Sequence, residues 1–303
     1  MRLKNLFTLS WFLTLLFCFA PLPLFALEIK RLPGIPVRND ILLSPARVEL
    51  SLDPGDRSVR YLNIVNRTGK DVAFKLSIED FSPSDDPRGG VVLDKTIAGI
   101  RSSLKEYISV DSSQFILAHG EQARIPVTVL IHKDVRPGGL YAAVIISSAP
   151  LKESSGAAKV VTRLGALFFV KVNGTVKHSA VLKGATFLDD KIEIVFENNG
   201  DVYLDPYGTI DIYDRFKKLI SKINIDPWFV LPRSTRSRMV ALPVSDLSVG
   251  RYTASISMNR GYDDIVDNKE LTFERSSPVD NRTKIFLILA SVVVISLLYR
   301  YFL

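Results

Sequence analysis

The chain has 303 residues and one cysteine, Cys18, which falls inside an apolar N-terminal run. The body beyond residue 26 therefore holds no thiol, which excludes disulfides, thiolate nucleophiles and cysteine-ligated metals there. Histidine is nearly as scarce: only His119, His132 and His178 occur. No HExxH, GxSxG or GxxxxGK[ST] pattern accompanies them, so the common zinc-hydrolase, serine-hydrolase and phosphate-loop chemistries are not indicated. The histidines read as turn residues, and no catalytic residue, metal ligand or cofactor-binding residue is expected. The net charge is +7, and the cations are dispersed. No basic stretch is interleaved with aromatics, which argues against a nucleic-acid partner. Between the two ends there is no long helical periodicity and no short internal repeat.

The two ends are apolar. Residues 1–26 carry Arg2 and Lys4, an apolar run from Leu6 to Ala20 and a Pro-rich stretch closing at Ala26. That order predicts a signal peptide cleaved near Ala26. Cys18 follows Phe17, where a lipoprotein signal needs a small residue, so it reads as an ordinary member of the run. Residues 285–299 form a second uncharged run between Lys284 and Arg300. At the helical rise this run is about 22 Å long. Tyr301, Phe302 and Leu303, with Arg300 snorkelling to the interface, extend it toward the hydrocarbon thickness. The expectation is a transmembrane anchor over residues 285–303, giving a single-pass protein of the cell membrane with extracytoplasmic domains.

The body reads as all-β. Residues 46–52 alternate, with Val48, Leu50 and Leu52 on one face and Arg47, Glu49 and Ser51 on the other. Asp53-Pro54-Gly55-Asp56 is a turn by composition. Residues 58–65, 72–80, 124–131 and 140–148 continue the strand pattern, with Phe74 facing inward. Pro126 implies an edge position or a strand start. Residues 44–149 are thus expected to form a first β-sandwich, and the polar stretch 152–158 to link it to a second over residues 159–275. The second opens with a strand over residues 166–172 and turns at Asn198-Asn199-Gly200-Asp201.

Two groups invite a functional reading. Asp263, Asp264, Asp267 and Asn268 make a small acidic loop without the spacing of a known calcium motif. Trp228 and Phe229 lie close to Arg233, Arg236 and Arg238, and aromatics with arginine are enriched in binding hot spots. Either Trp228 or Phe229 also suits the core of the second sandwich. Arg57 and Arg60 suit either an anionic wall polymer or a solvated strand face.

In the order of its elements the chain resembles the WxL-interacting cell-surface proteins. The resemblance rests on "SPARVELSLDPGDRSVRYLNIVNRTGKDV", "FILAHGEQARIPVTVLI", "RPGGLYAAVII", "IEIVFENNGDVYLDPYGTIDIYD", "FVLPRSTRSRM" and the apolar tail. It implies two tandem immunoglobulin-like domains, the first associated with peptidoglycan and the second with a partner protein. The opening is also similar to that of pilus chaperones, which pair two such sandwiches. Two functions follow as expectations. One is a non-catalytic, membrane-anchored surface protein that binds cell-wall polymer or another surface protein, such as a WxL-domain protein, through Trp228, Phe229, Arg233 and Arg236. The other is a chaperone-like assembly factor for exported surface or pilus subunits.

Overall fold

The computed structural model describes residues 27–94, 102–150, 161–243 and 247–275. The expected signal peptide, the stretch 152–158 and the C-terminal apolar run lie outside them. Among the described residues no helix is long and apolar enough to cross a membrane. The chain divides into two compact units, one of residues 27–84 and 91–177, the other of residues 85–90 and 178–275.

The first unit contains β1 (Glu28–Arg31), β2 (Ile41–Ser44), β3 (Arg47–Leu52), β4 (Arg57–Asn66), β5 (Val72–Pro83), β6 (Val91–Asp94), β7 (Ile108–Val110), β8 (Gln114–Leu117), β9 (Glu121–Leu130), β10 (Gly138–Pro150) and β11 (Thr162–Val172). One sheet runs β1-β9-β4-β2, with β7 also on β9. The other runs β3-β11-β10-β5-β6, with β8 also on β5. Strict alternation sends Leu62, Ile64, Ile125, Val127 and Val129 from the first sheet against Phe74, Leu76, Val144, Ile146 and Phe168 from the second. Phe74 is 2% exposed and stacks on Phe115 at 5.4 Å. Pro126 sits in the middle of β9 without breaking it. Leu130 donates its N–H to Tyr107 on the β7 side, so even-numbered positions of β9 face that side. There β1 ends its pairing at Arg124 and β7 begins at Val127, so proline falls where no donor is needed.

The first unit is larger than the expected 44–149. It begins with β1, and it keeps β11, which the sequence placed in the second domain. β11 pairs antiparallel with β10 and parallel with β3. The physical reason is that β11 is apolar on both faces, burying Phe168 and Val170 on one and Phe169 on the other. The polar stretch before it joins neighbouring strands of one sheet, a role that composition does not separate from a linker.

The second unit holds β12 (Ala180–Leu188), β13 (Lys191–Asn198), β14 (Tyr207–Asp214), β15 (Leu219–Ile225), β16 (Ser234–Ala241), β17 (Gly250–Asn259) and β18 (Val266–Arg275). Its sheets are β12-β13-β16 and β15-β14-β17-β18. Leu182, Ile192, Ile194 and Phe196 pack against Ile210, Ile212, Ala254, Ile256 and Met258. Residues 85–90 also belong here: Arg88 forks onto Glu193 at 2.8 Å and holds that carboxyl down to about 2. Both units are β-sandwiches, so the all-β, two-sandwich class read from the sequence holds.

Asp267 ties β12 to β18 across one side of the second sandwich. Its carboxylate accepts the Leu182 N–H at 2.8 Å and the Arg260 fork at 2.6 and 3.0 Å. Burial opposes its ionisation, yet these donors prevail and keep its pKa below the ordinary carboxylate value. A depressed folded pKa stabilises the fold above the unfolded value, about 3.9. That contribution is lost as pH falls through the lower folded value. Asp267→Asn should therefore flatten the acid limb of a melting-temperature profile below about pH 4. An unchanged acid limb would show that the pair contributes nothing.

Candidate functional site

The segment between β15 and β16 is held by main-chain bonds. Trp228 donates to the Pro206 carbonyl, and Leu204 and Val230 exchange bonds of 3.0 and 2.8 Å. Alternation then splits the aromatic pair. Trp228 turns inward, 7% exposed, into the second core. Phe229 turns the other way, beneath Arg236, whose guanidinium carbon lies 4.1 Å from the ring centroid. Arg236 Nη1 also donates to the Phe229 carbonyl at 2.6 Å. Arg233 is exposed, adopts φ 55° and pairs with Asp201 at 3.4 Å. Arg238 donates to the Asp226 carbonyl at 3.1 Å. Of the two readings of Trp228, the structure selects the core one. Arg236 covers its own chain's Phe229, and Arg233 is a turn residue.

The other polar groups are structural too. His119 accepts the Gly69 N–H on Nδ1 at 3.2 Å, and its Nε2 lies 3.1 Å from the Ile35 carbonyl. His132 packs edge-on to Tyr107, and His178 to Tyr262. Asp263 and Asp264 are consecutive left-handed turn residues, and Asp267 is taken by Arg260. Among the described residues no three His, Cys, Asp or Glu side chains are grouped to hold a metal.

Strand edges remain. Leu167 donates its N–H to the Ala46 carbonyl, so odd-numbered N–H groups of β11 point to the β3 side. Pairing with β3 starts only at Leu167, opposite Arg47. Among the described residues 162–166 pair with β10 alone, and Arg163 and Gly165 aim N–H groups at an open edge. Several other edges carry charge, the usual protection against unwanted pairing. Arg57 and Arg60 lie on β4, Lys222 on β15, and Arg236 and Arg238 on β16. The β16 edge is also partly filled, because Ser237 donates to the Pro87 carbonyl at 2.7 Å. In the open stretch 162–166 of β11 the one charge is turned away, with Arg163 bound to the buried Glu79 at 2.8 Å. The sequence pattern places the candidate site at Trp228, Phe229, Arg233 and Arg236 instead. It misses this edge because it puts β11 in the other domain.

No family model matches the chain, the WxL-interacting family included, and no curated protein matches it. Among solved structures it is similar to the class 5 fimbriae chaperone CfaA, at 11% identity and TM-score 0.39, over 78% of this chain and 100% of that one. It is similar also to a CsuC–CsuE chaperone–tip adhesion subunit pre-assembly complex of Acinetobacter baumannii, at 10% identity and TM-score 0.39, over 77% of this chain and 97% of that one. A third similarity is to a PapD-like domain of human CEP192, at 17% identity and TM-score 0.32, over 46% of this chain and 89% of that domain.

Proposed function

We propose that the protein is a non-catalytic, membrane-tethered binding protein that captures a segment of an exported polypeptide as an added strand, and so serves assembly at the cell surface. The carrying observation is the open stretch 162–166 of β11, whose Arg163 and Gly165 N–H groups face away from β10. Strand addition draws affinity from main-chain bonds and selectivity from side chains alternating across the sheet. An uncharged run, Leu164-Gly165-Ala166, suits that use, whereas a guarded edge does not. The three histidines are each committed to packing or main-chain contacts, which supports binding over turnover.

A photo-crosslinking residue at the exposed Thr162 tests this in living cells. The expected product is an adduct with an exported protein, joined through an extended segment of alternating apolar residues. Hydrogen exchange on the purified adduct should show the Arg163 and Gly165 amides newly protected. Equal crosslinking from Lys222 on the guarded β15 edge, or unchanged exchange at both amides, would overturn the assignment.

A further inference from the structure

The hairpin joining β14 to β15 is built to hold an aromatic ring in solvent. Asp214 Oδ1 accepts the N–H groups of Phe216 and Lys218 at 2.8 and 2.9 Å, and Lys217 takes φ 63°. The Asp214 carboxylate is thus consumed within the turn. Phe216 projects at 74% exposure, more than any other large apolar side chain among the described residues. Arg215 lies 4.6 Å from its ring centroid. Leu219, next along the hairpin, is 48% exposed, and Lys217 and Lys218 are exposed beside it.

Strand register fixes where this tip lies. Asp214 is opposite Tyr252 on β17, and Tyr252 is opposite Phe273 on β18. The tip is therefore at the end of the sheet where β18 finishes, at Arg275 opposite Gly250. Val249, 65% exposed, precedes Gly250 at that end. β12 reaches the same end, since Phe187 stacks on Phe273 at 4.6 Å, and Leu188 after it is 37% exposed. Cations collect there: Arg215, Lys217, Lys218, Lys191, Arg251 and Arg275. Facing them are Asp189 and Asp190 in the β12–β13 turn and Glu274 on β18. The opposite end carries Asp201, Asp205, Asp226, Asp263 and Asp264, with Arg233 paired to Asp201 and Arg260 to Asp267.

We infer that this basic, apolar end of the second sandwich docks on an anionic membrane surface, with Phe216 inserted at the headgroup boundary. The occupant follows from the chain's exit. Residues 276–284 leave from Arg275 and precede the apolar run beginning at Ile285, and fully extended they reach at most about 30 Å. A sandwich tethered on so short a stalk presents one of its ends to the bilayer, and the exiting end carries the cations and the exposed ring. Interfacial aromatics with flanking cations suit that boundary, since the ring has an apolar body and the cations meet anionic headgroups. The inference rests on the membrane-tethered reading for its geometry, but not on strand capture.

The mature chain from residue 27, which holds no cysteine, carries a spin label at Phe216→Cys and is reconstituted into vesicles of zwitterionic lipid with a quarter phosphatidylserine. A second sample carries the label at Asp263→Cys. Accessibility to oxygen is compared with accessibility to a water-soluble nickel complex. The expected result is an oxygen-to-nickel ratio at position 216 about tenfold above that at 263, falling several-fold with Lys217→Glu and Lys218→Glu together. Both labelled sites are exposed turn positions, and circular dichroism checks the fold. Protein retained in about 1 M salt with equal ratios at the two positions overturns the docking alone. Release of this mature chain under that salt overturns the tether and takes the docking with it.

Discussion

Replacing Trp228 with alanine is expected to destabilise the second sandwich by about 3–5 kcal/mol, the usual effect of emptying a buried aromatic site. The indole is 7% exposed and belongs to the core that Ile210, Ile256 and Phe196 build. Urea unfolding of the full chain would show the loss as a shifted transition for the second unit. Partner capture should then fall only in proportion to the unfolded fraction. Trp228→Phe separates ring from donor. It keeps aromatic packing and removes an indole N–H that finds no acceptor among the described residues, so part of the lost burial is offset. That variant should cost about 1–2 kcal/mol. A change within about 0.5 kcal/mol for Trp228→Ala would place the ring at the surface and restore the hot-spot reading.

The sequence contained the sign that Trp228 is a core residue, but not in its immediate neighbours. In the first sandwich, Asn66 ends β4 and its side chain donates to the Leu117 carbonyl. In the second, Asn198 ends β13 and donates to the Val230 carbonyl. Counting back two residues from each acceptor gives Phe115 and Trp228, both in a core. Counting forward three gives Gly120 and Arg233, both left-handed at φ 78° and 55°. Thus "FILAHGE" and "WFVLPRS" are the same structural passage in two sandwiches, and the prominent arginine stands where the first copy uses glycine. Local composition promoted Trp228 and Arg233 to a binding site, whereas the comparison of the two halves explains both as architecture.

Alternation made most strands legible because one face of each is buried and the other is not. It fell short where that condition is relaxed. β15 escaped notice because a register shift against β14 between Ile212 and Tyr213 breaks the period of its isoleucines. β11 was recognised as a strand and misassigned, since pairing partners far apart in sequence leave no local mark. The open edge of β11 is a consequence of where β3 stops, and no property of Thr162 to Ala166 alone announces it. The exposed Phe216 is likewise unremarkable as a sequence position. It gains meaning only when the register puts it beside Arg275.

Asn66→Asp is expected to be among the most damaging isosteric changes in the chain. Asn66 is fully buried, and every polar atom of its side chain is used. Oδ1 accepts the Thr68 N–H at 3.0 Å and the Thr68 hydroxyl at 2.7 Å, while Nδ2 donates to the Lys70 and Leu117 carbonyls at 2.8 Å each. Aspartate preserves the shape and reverses one half of this pattern, since an acceptor then faces two acceptors. Asn66→Ala removes the bonds without repulsion and leaves the buried Leu117 carbonyl unsatisfied, for a loss of about 1–3 kcal/mol. Aspartate should exceed alanine, because an ionised carboxylate would sit in the core beside carbonyl oxygens. Asn198 offers the control within the same molecule. Its Nδ2 donates to Val202 and Val230 at 2.9 Å, and its Oδ1 accepts the Gly200 N–H at 2.9 Å, with no hydroxyl corresponding to Thr68. Asn198→Asp should therefore destabilise the second unit by a similar but smaller amount. Equilibrium unfolding of the three variants ranks them. If Asn66→Asp proved as stable as the parent, the buried amide would not be what pins β4 to the end of β8, and the correspondence between the two sandwiches would lose its structural basis.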